Sequence, residues 1–351
     1  MAIEGVAVPV VSRQALSSWA RGGLGLALCV IIAAAANAAA SAAPIVGAPV
    51  FAIAIGVVVT NTLRGPLQLS TLRIGDISKL CLKGGIILLG ASLDLGAIVH
   101  TGLESLPVLM LTIAVGLFSA LVIGRVFGVE WRMRCLIGMG TTICGASAIA
   151  ALAPVIRARA EEIAYSISVI FFFNMLAVFI FPTIGHLLSL SDPGFGLWAG
   201  TAVNDTSAVV AAGFAYSHAA GTIATIVKLT RTTLIIPLVI GFGLLLPLFE
   251  KREQPSDDES LAQRVYQAVP VFIILFVAAS LLNTLGLFGD FAPSVQLAGR
   301  WVLVVALAAV GLQGHWRAFA GAGARPLLLG LVTWAAVALT SLGIQTWTGS
   351  L

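Results

Sequence analysis

Charge is the scarcest property of this chain. Only 10% of its 351 residues are Asp, Glu, Lys or Arg, against 59% hydrophobic residues, whereas a soluble domain carries about a quarter charged residues. That shortage excludes an ordinary water-facing surface, and mean hydropathy is +1.05. The basic excess of +4 does not point to nucleic acid, because most of the Lys and Arg lie in short loops, where they set membrane orientation. Cysteine is scarce too. Cys29, Cys81, Cys135 and Cys144 lie in or beside apolar runs, with neither metal-ligand spacing nor a secreted disulfide framework, and read as buried thiols. His100, His186, His218 and His315 sit near the ends of apolar runs and form no constellation.

Catalytic signatures are missing as well. There is no Gly-x-Ser-x-Gly elbow, no His-Glu-x-x-His motif and no phosphate loop with its Lys. An enzyme is therefore not expected, no cofactor or metal is implied, and a Ser207–Lys228 hydrolase pair is a minor alternative. The N-terminal segment 1–21 is polar and lacks the pattern of a cleavable signal, so it is expected to stay cytoplasmic ahead of a retained first span.

What is abundant is apolar sequence, enough for about ten passes at roughly 20 residues each. Candidate spans are Gly22–Ala40, Ile45–Asn61, Leu80–Val99, Leu106–Val126, Cys135–Val155, Ile163–Leu188, Leu197–Tyr216, Ile223–Leu248, Val265–Leu285, Leu297–Leu312 and Pro326–Ile344. The expected fold is all-α: a polytopic membrane protein of 9–11 transmembrane helices in one domain, 22–348. A charged linker over 250–264 divides two halves. Basic loops at Arg64/Arg73/Lys79, Arg125/Arg132/Arg134, Lys251/Arg252/Arg264 and His315/Arg317/Arg325 fall on one side with Arg13 and Arg21. That side is the cytoplasmic one if the N-terminus is cytoplasmic.

The chain also repeats itself. Gly140–Ala151 (GTTICGASAIAA) matches Gly200–Ala211 (GTAVNDTSAVVA) at a spacing of sixty, and the match continues through Ile163-Ala164 and Ile223-Ala224. The repeat units run over about 136–188 and 196–248. Glycine-bearing interruptions at matching places in two repeats are a pointer to a transporter's substrate site. Arg157 and Arg159 break the positive-inside pattern if Cys135–Val155 crosses fully. They conform if that segment and Leu197–Tyr216 dip in and return from opposite faces, which makes the two units inverted. A fainter echo joins Leu89–Leu93 to Val310–Gly314.

Polar residues inside the spans are few. Asn204, Asp205, Thr206 and Ser207 form the densest cluster, and an Asp at membrane depth costs at least about 2.5 kcal/mol unless it faces a cavity or a partner. Lys228, Arg231 and Thr232 share a helix face in the second unit, where the first has Ser168 and Phe171 at the positions of the two cations. One acid cannot neutralise two cations, so a surplus positive charge is expected to attract an anion. Cys144, Gly145 and Ser147 form the matching place in the first unit, either as a ligand site or as small residues for close helix packing. Asn174 reads as an interhelical hydrogen bond, and Asp94 as a cap or loop residue.

Three motifs, Thr142–Ile149, Ala202–Ser207 and Val227–Thr232, resemble the YeiH-type family of bacterial inner-membrane proteins named for sulfate export, over roughly Ile45 to the C-terminus. The resemblance implies a membrane carrier for sulfate or a related anion. It is also similar, more loosely, to cation/proton antiporter and anion transporter folds with broken helices. The expected function is secondary transport of a small anion bound by Cys144, Gly145, Ser147, Asn204–Ser207, Lys228, Arg231 and Thr232. The alternative is a cation/proton antiporter centred on Asp205. Expected partners are the lipid bilayer, the anionic substrate and a coupling proton or sodium ion, with a homodimer left open.

Overall fold

In a computed structural model of the protein, residues 18–42, 47–62, 72–249, 271–314 and 323–349 are described. The expected linker, the N-terminal 1–17 and the loops bearing Arg64 and His315 lie outside them. The described residues are all-α with no strand, and six helices are long and apolar enough to cross a membrane. The chain is a multi-pass membrane protein. Its large apolar side chains also point outward, Phe118 and Leu103 on one long helix being 68% and 60% exposed, as suits a lipid-facing surface.

In chain order the helices are α1 (Ser18–Ala42), α2 (Gly47–Thr62), α3 (Ile74–Gly90), α4 (Leu95–Val126), α5 (Trp131–Thr142), α6 (Ala146–Leu152), α7 (Ala160–Leu187), α8 (Asp192–Ala202), α9 (Thr206–Tyr216), α10 (His218–Thr233), α11 (Ile235–Phe249), α12 (Val271–Thr284), α13 (Ala292–Gly311) and α14 (Ala324–Thr348). Three expected spans are redrawn. Leu80–Val99 is not one helix: α3 stops at Gly90, and Asp94 caps a new helix by accepting from the Ala97 amide. That helix, α4, begins eleven residues before the expected Leu106 and runs on through Pro107. Ile223–Leu248 is broken at Leu234, because Pro237 in the first turn of α11 cannot donate back into α10.

Both expected dipping segments are helical hairpins that enter the membrane and return. For the first, Arg132 at the start of α5 donates to the Ile156 carbonyl beyond α6, at 3.2 Å, and Arg159 reaches Glu130 at 2.5 Å. Arg159 is held above its ordinary pKa chiefly by its bond to Glu162. The two ends of the segment therefore lie together. For the second, Tyr216 at the end of α9 donates to the Leu190 carbonyl ahead of α8, and its ring stacks on Phe195 with centroids 3.9 Å apart. Gly196 packs beside Ile223 and Gly200 beside Val227, so α8 runs along α10 in the same direction. Gly213 meets Gly221, so α9 returns alongside it.

The hairpins open at opposite ends of α7. The first closes just before Ala160 and the second just after Leu187, and 28 residues make a helix of about 42 Å, longer than the roughly 30 Å hydrocarbon core. Their tips meet near the middle of α7, where Gly145 lies against Ile170 and Asp205, and the Asp205 amide donates to Asn174. The repeat is thus inverted. The remaining helices flank it: α3 packs antiparallel to α13, with Gly85 on Leu303 and Gly299 on Leu88, and α4 packs on α14. The echoing glycines Gly90 and Gly311 each end their helix.

Candidate functional site

The site is built from the ends of four half-helices. The helices α5 and α8 point their carbonyl ends at the tips, and α6 and α9 begin there with their amide ends. Gly145 makes the first turn possible: its φ of 65° and ψ of −130° belong to a region open essentially to glycine. In the second tip Asp205 caps α9, accepting from the Ser207 amide at 3.0 Å and from the Ser207 hydroxyl.

Lys228 and Arg231 sit on the carbonyl side. The Lys228 ammonium donates to Ile143 at 2.5 Å and Val203 at 2.9 Å. The Arg231 guanidinium donates to the carbonyls of Thr201 and Thr141. Both residues are fully buried, with no carboxylate within 4.0 Å among the described residues. Carbonyl ends of helices carry roughly half a negative charge each, so the two cations answer the electrostatics of both tips. They line neither of two cavities formed by the described residues and make no ion pair with Asp205 within 4.0 Å, and Thr232 spends its hydroxyl on the Lys228 carbonyl. Ser207 and Lys228 hold different partners and form no pair.

The amide side is open. A cavity of about 310 Å³ is lined there by Ala146 and Ser147 of α6, Asn174 of α7, and Asp205, Thr206, Ser207 and Ala208 of α9. It continues along α3 past Lys83, Ser78 and Lys79, to Gln313 at the end of α13 and Phe272 on α12. Because α3 runs from the face where the first hairpin opens, Lys79 and Gln313 mark the mouth of the cavity on that face. Ile86, Phe171, Met175 and Val310 supply apolar wall. Lys79 and Lys83 are exposed to this space, Asp205 is half-buried beside it, and none of the three has an ion-pair partner within 4.0 Å among the described residues.

Of the expected site residues, the cavity gathers Ser147, Asp205, Thr206 and Ser207. Gly145 lies behind them against Asp205, and Cys144 is 2% exposed inside the apolar core of the first hairpin. Asn204 is 1% exposed, and neither end of its amide has a hydrogen-bond partner among the described residues. The cavity's own cations are Lys79 and Lys83, which sequence reasoning took for a loop charge or passed over. The one signal for them was their i,i+4 spacing in an apolar segment, which puts both on one helix face. No group of His, Cys, Asp and Glu among the described residues is placed to hold a metal.

A family model described as "Conserved hypothetical protein 698" matches residues 24–330. A UPF0324 membrane protein of Streptococcus pneumoniae (strain ATCC BAA-255 / R6) is 40% identical over 342 residues, covering 95% of this chain and 99% of that protein. A UPF0324 membrane protein of Streptococcus agalactiae serotype V is 38% identical over 335 residues, covering 93% and 97%. Another from Streptococcus pyogenes serotype M18 is 39% identical over 329 residues, covering 92% and 96%. No solved structure matches the chain.

Proposed function

The chain belongs to the UPF0324 family of membrane proteins, and from its site we propose that it is a secondary transporter of a small anion, an oxyanion such as sulfate or a small organic acid. One observation carries the reading. Two hairpin tips from opposite faces meet at mid-membrane beside a cavity that holds two lysines with no ion-pair partner among the described residues, hydroxyls and the amide end of α9. Irregular backbone at that depth is tolerated only where it is buried or lines a cavity. A broken helix with its positive end at such a cavity favours an anion.

Lys79 and Lys83 draw the anion in, and Ser147, Asn174, Thr206 and Ser207 orient it at the tips. The apolar wall leaves room for an organic body. Lys228 and Arg231 bind the hairpins to each other, so that the hairpins, α7 and α10–α11 move as one body against α2, α3, α12 and α13. The one-sided distribution of basic residues in the loops supports a reading in which the N-terminus and the cavity mouth face the cytoplasm of a bacterial cell, with the protein in its inner membrane. The test is counter-flow of labelled sulfate and of small carboxylates and sulfonates in proteoliposomes. The reading fails if none exchanges, or if Lys79→Gln/Lys83→Gln protein moves them as the parent does.

A second reading rests on Asp205. Its carboxylate faces the cavity with no cationic partner within 4.0 Å among the described residues, as a coupling-ion site in a cation/proton antiporter would. That reading predicts cation-driven proton movement without any added anion, lost in Asp205→Asn.

A further inference from the structure

A second cavity, of about 220 Å³, lies near the opposite face. Asn37, Phe214, His218 and Arg300 line it, with Ala48 and Pro49 of α2 and a stripe of α13. Its level follows from its neighbours. Gly47 abuts Ala215 near the end of α9, and Gly299 abuts Leu88 and Leu89 near the end of α3. Both contacts lie where the second hairpin opens. Gln296 is within 3.2 Å of His218, which closes the rim between α13 and α10.

Three helices line both cavities. On α2 the inner cavity has Ile53 and the outer has Pro49; on α13 they are Val310 and Leu307; on α9 they are Ala208 and Val210. These steps of four, three and two residues amount to about 6, 4.5 and 3 Å along the helices. The two cavities therefore end about one helical turn apart. What separates them is apolar and closed: Ala52, Val209, Ala308 and Ala309 are all 0% exposed. A barrier this thin between two water-accessible pockets is what a carrier needs at the closed side of its site.

Arg300 is the one Arg or Lys lining the outer cavity. It is exposed there and has no ion-pair partner within 4.0 Å among the described residues. A guanidinium with no ion-pair partner among the described residues, in a mostly apolar cavity whose other polar lining is Asn37 and His218, is a ready fork for an oxyanion or carboxylate. We propose that this cavity is the outer anion-receiving site of the transport route, with Arg300 as its binding residue and the seam of α2, α9 and α13 as the gate. This rests on the anion-carrier reading and adds where the route leaves the protein.

The test reads the cavity without needing the natural substrate. Asn37→Cys marks the outer cavity and Gln313→Cys the inner one. Both are made in full-length protein in oriented vesicles, with the parent's own thiols as background, of which Cys29, Cys135 and Cys144 are buried and Cys81 is half-buried. The probes are a sulfonate-bearing and an ammonium-bearing methanethiosulfonate. We expect the two positions to react from opposite faces. At Asn37→Cys the anionic reagent should lead at least fivefold, and that preference should vanish in Arg300→Gln and return in Arg300→Lys. The proposal is overturned if Asn37→Cys is unreactive, reacts from the same face as Gln313→Cys, or keeps its preference without Arg300. Failure of the anion-carrier reading shows separately, as loss of anion preference at Gln313→Cys together with absent flux.

Discussion

The ammonium of Lys228 lies 2.5 Å from the carbonyl oxygen of Ile143, although the two residues belong to different repeat units. The same nitrogen takes Val203 of its own unit at 2.9 Å. A single side chain on α10 thus fastens both hairpin tips where their backbones unwind.

Losing that cation should unfasten the tips. A hydrogen bond to a charged group contributes about 1.5–3 kcal/mol, and each carbonyl left bare and buried costs about 1–3 kcal/mol. Lys228→Met should therefore lower the apparent melting temperature of the purified protein by several degrees or more, with Arg231→Met similar. A thermal scan within a degree of the parent for both variants would remove this account of the tips.

The same geometry bears on coupling. Two converging carbonyls at an unwound tip are a place where a metal cation could sit, and here the ammonium fills it. Stability and anion flux of the parent should be equal in sodium, potassium and choline salts at one ionic strength. In Lys228→Ala, added sodium should raise the melting temperature, because a ligand that binds only the folded state stabilises it. Sodium-dependent flux in the parent would contradict the assignment.

Lys79 and Lys83 carry the largest expected effect on affinity. Each unpaired ammonium that binds the anion contributes about 1.5–3 kcal/mol, so Lys79→Gln or Lys83→Gln should raise KM roughly tenfold to a hundredfold. Melting temperature should hardly move, since neither residue has an ion-pair partner within 4.0 Å to lose among the described residues. Unchanged KM in both variants would take the anion away from this cavity.

The hairpins were legible because glycine and small polar residues interrupt strongly apolar sequence at a spacing of sixty, and because Arg157 and Arg159 fit only if the chain turns back. The role of Lys228 was not legible. Its partners are backbone carbonyls, which leave no mark in the sequence, so its charge looked like surplus for a ligand. Lys79 was hidden in another way. A lysine on a short loop and one at a cavity mouth look alike until α3 is packed on α13. The break between α3 and α4 was not legible because hydropathy runs on through Leu93, and Asp94 reads equally well as a cap or as a loop residue. Pro237 did announce the break at Leu234, but a proline does not always stop a membrane helix, and Pro107 and Pro182 do not.

The return of the first hairpin is open to direct labelling. Glu130→Cys and Ala158→Cys should be modified by a membrane-impermeant maleimide from the same face, and Asp192→Cys from the opposite one. A segment that crossed fully would put Glu130→Cys and Ala158→Cys on different faces. That outcome would also undo the inversion, since the meeting of the two tips at mid-membrane depends on both hairpins returning to their own side.

Gly145 offers the sharpest test of the tip itself. Its φ of 65° and ψ of −130° cost a side-chain-bearing residue about 1–3 kcal/mol. An added Cβ would also stand 3.3 Å from Ile170 and 3.5 Å from the Asp205 side chain, at the junction of the two hairpins. Gly145→Ala should therefore lower stability by that amount and disturb the cavity wall at Asp205, reducing flux more than its stability loss explains. Trimming Ile170 to Ala relieves the contact but not the dihedral strain, so it should restore little. Gly84 is the control. It lies inside α3 with no atom within 4 Å of an added Cβ, and Gly84→Ala should be neutral or mildly stabilising, by up to about 1 kcal/mol. If Gly145→Ala and Gly84→Ala behave alike, the tip is not held in the geometry on which the site depends.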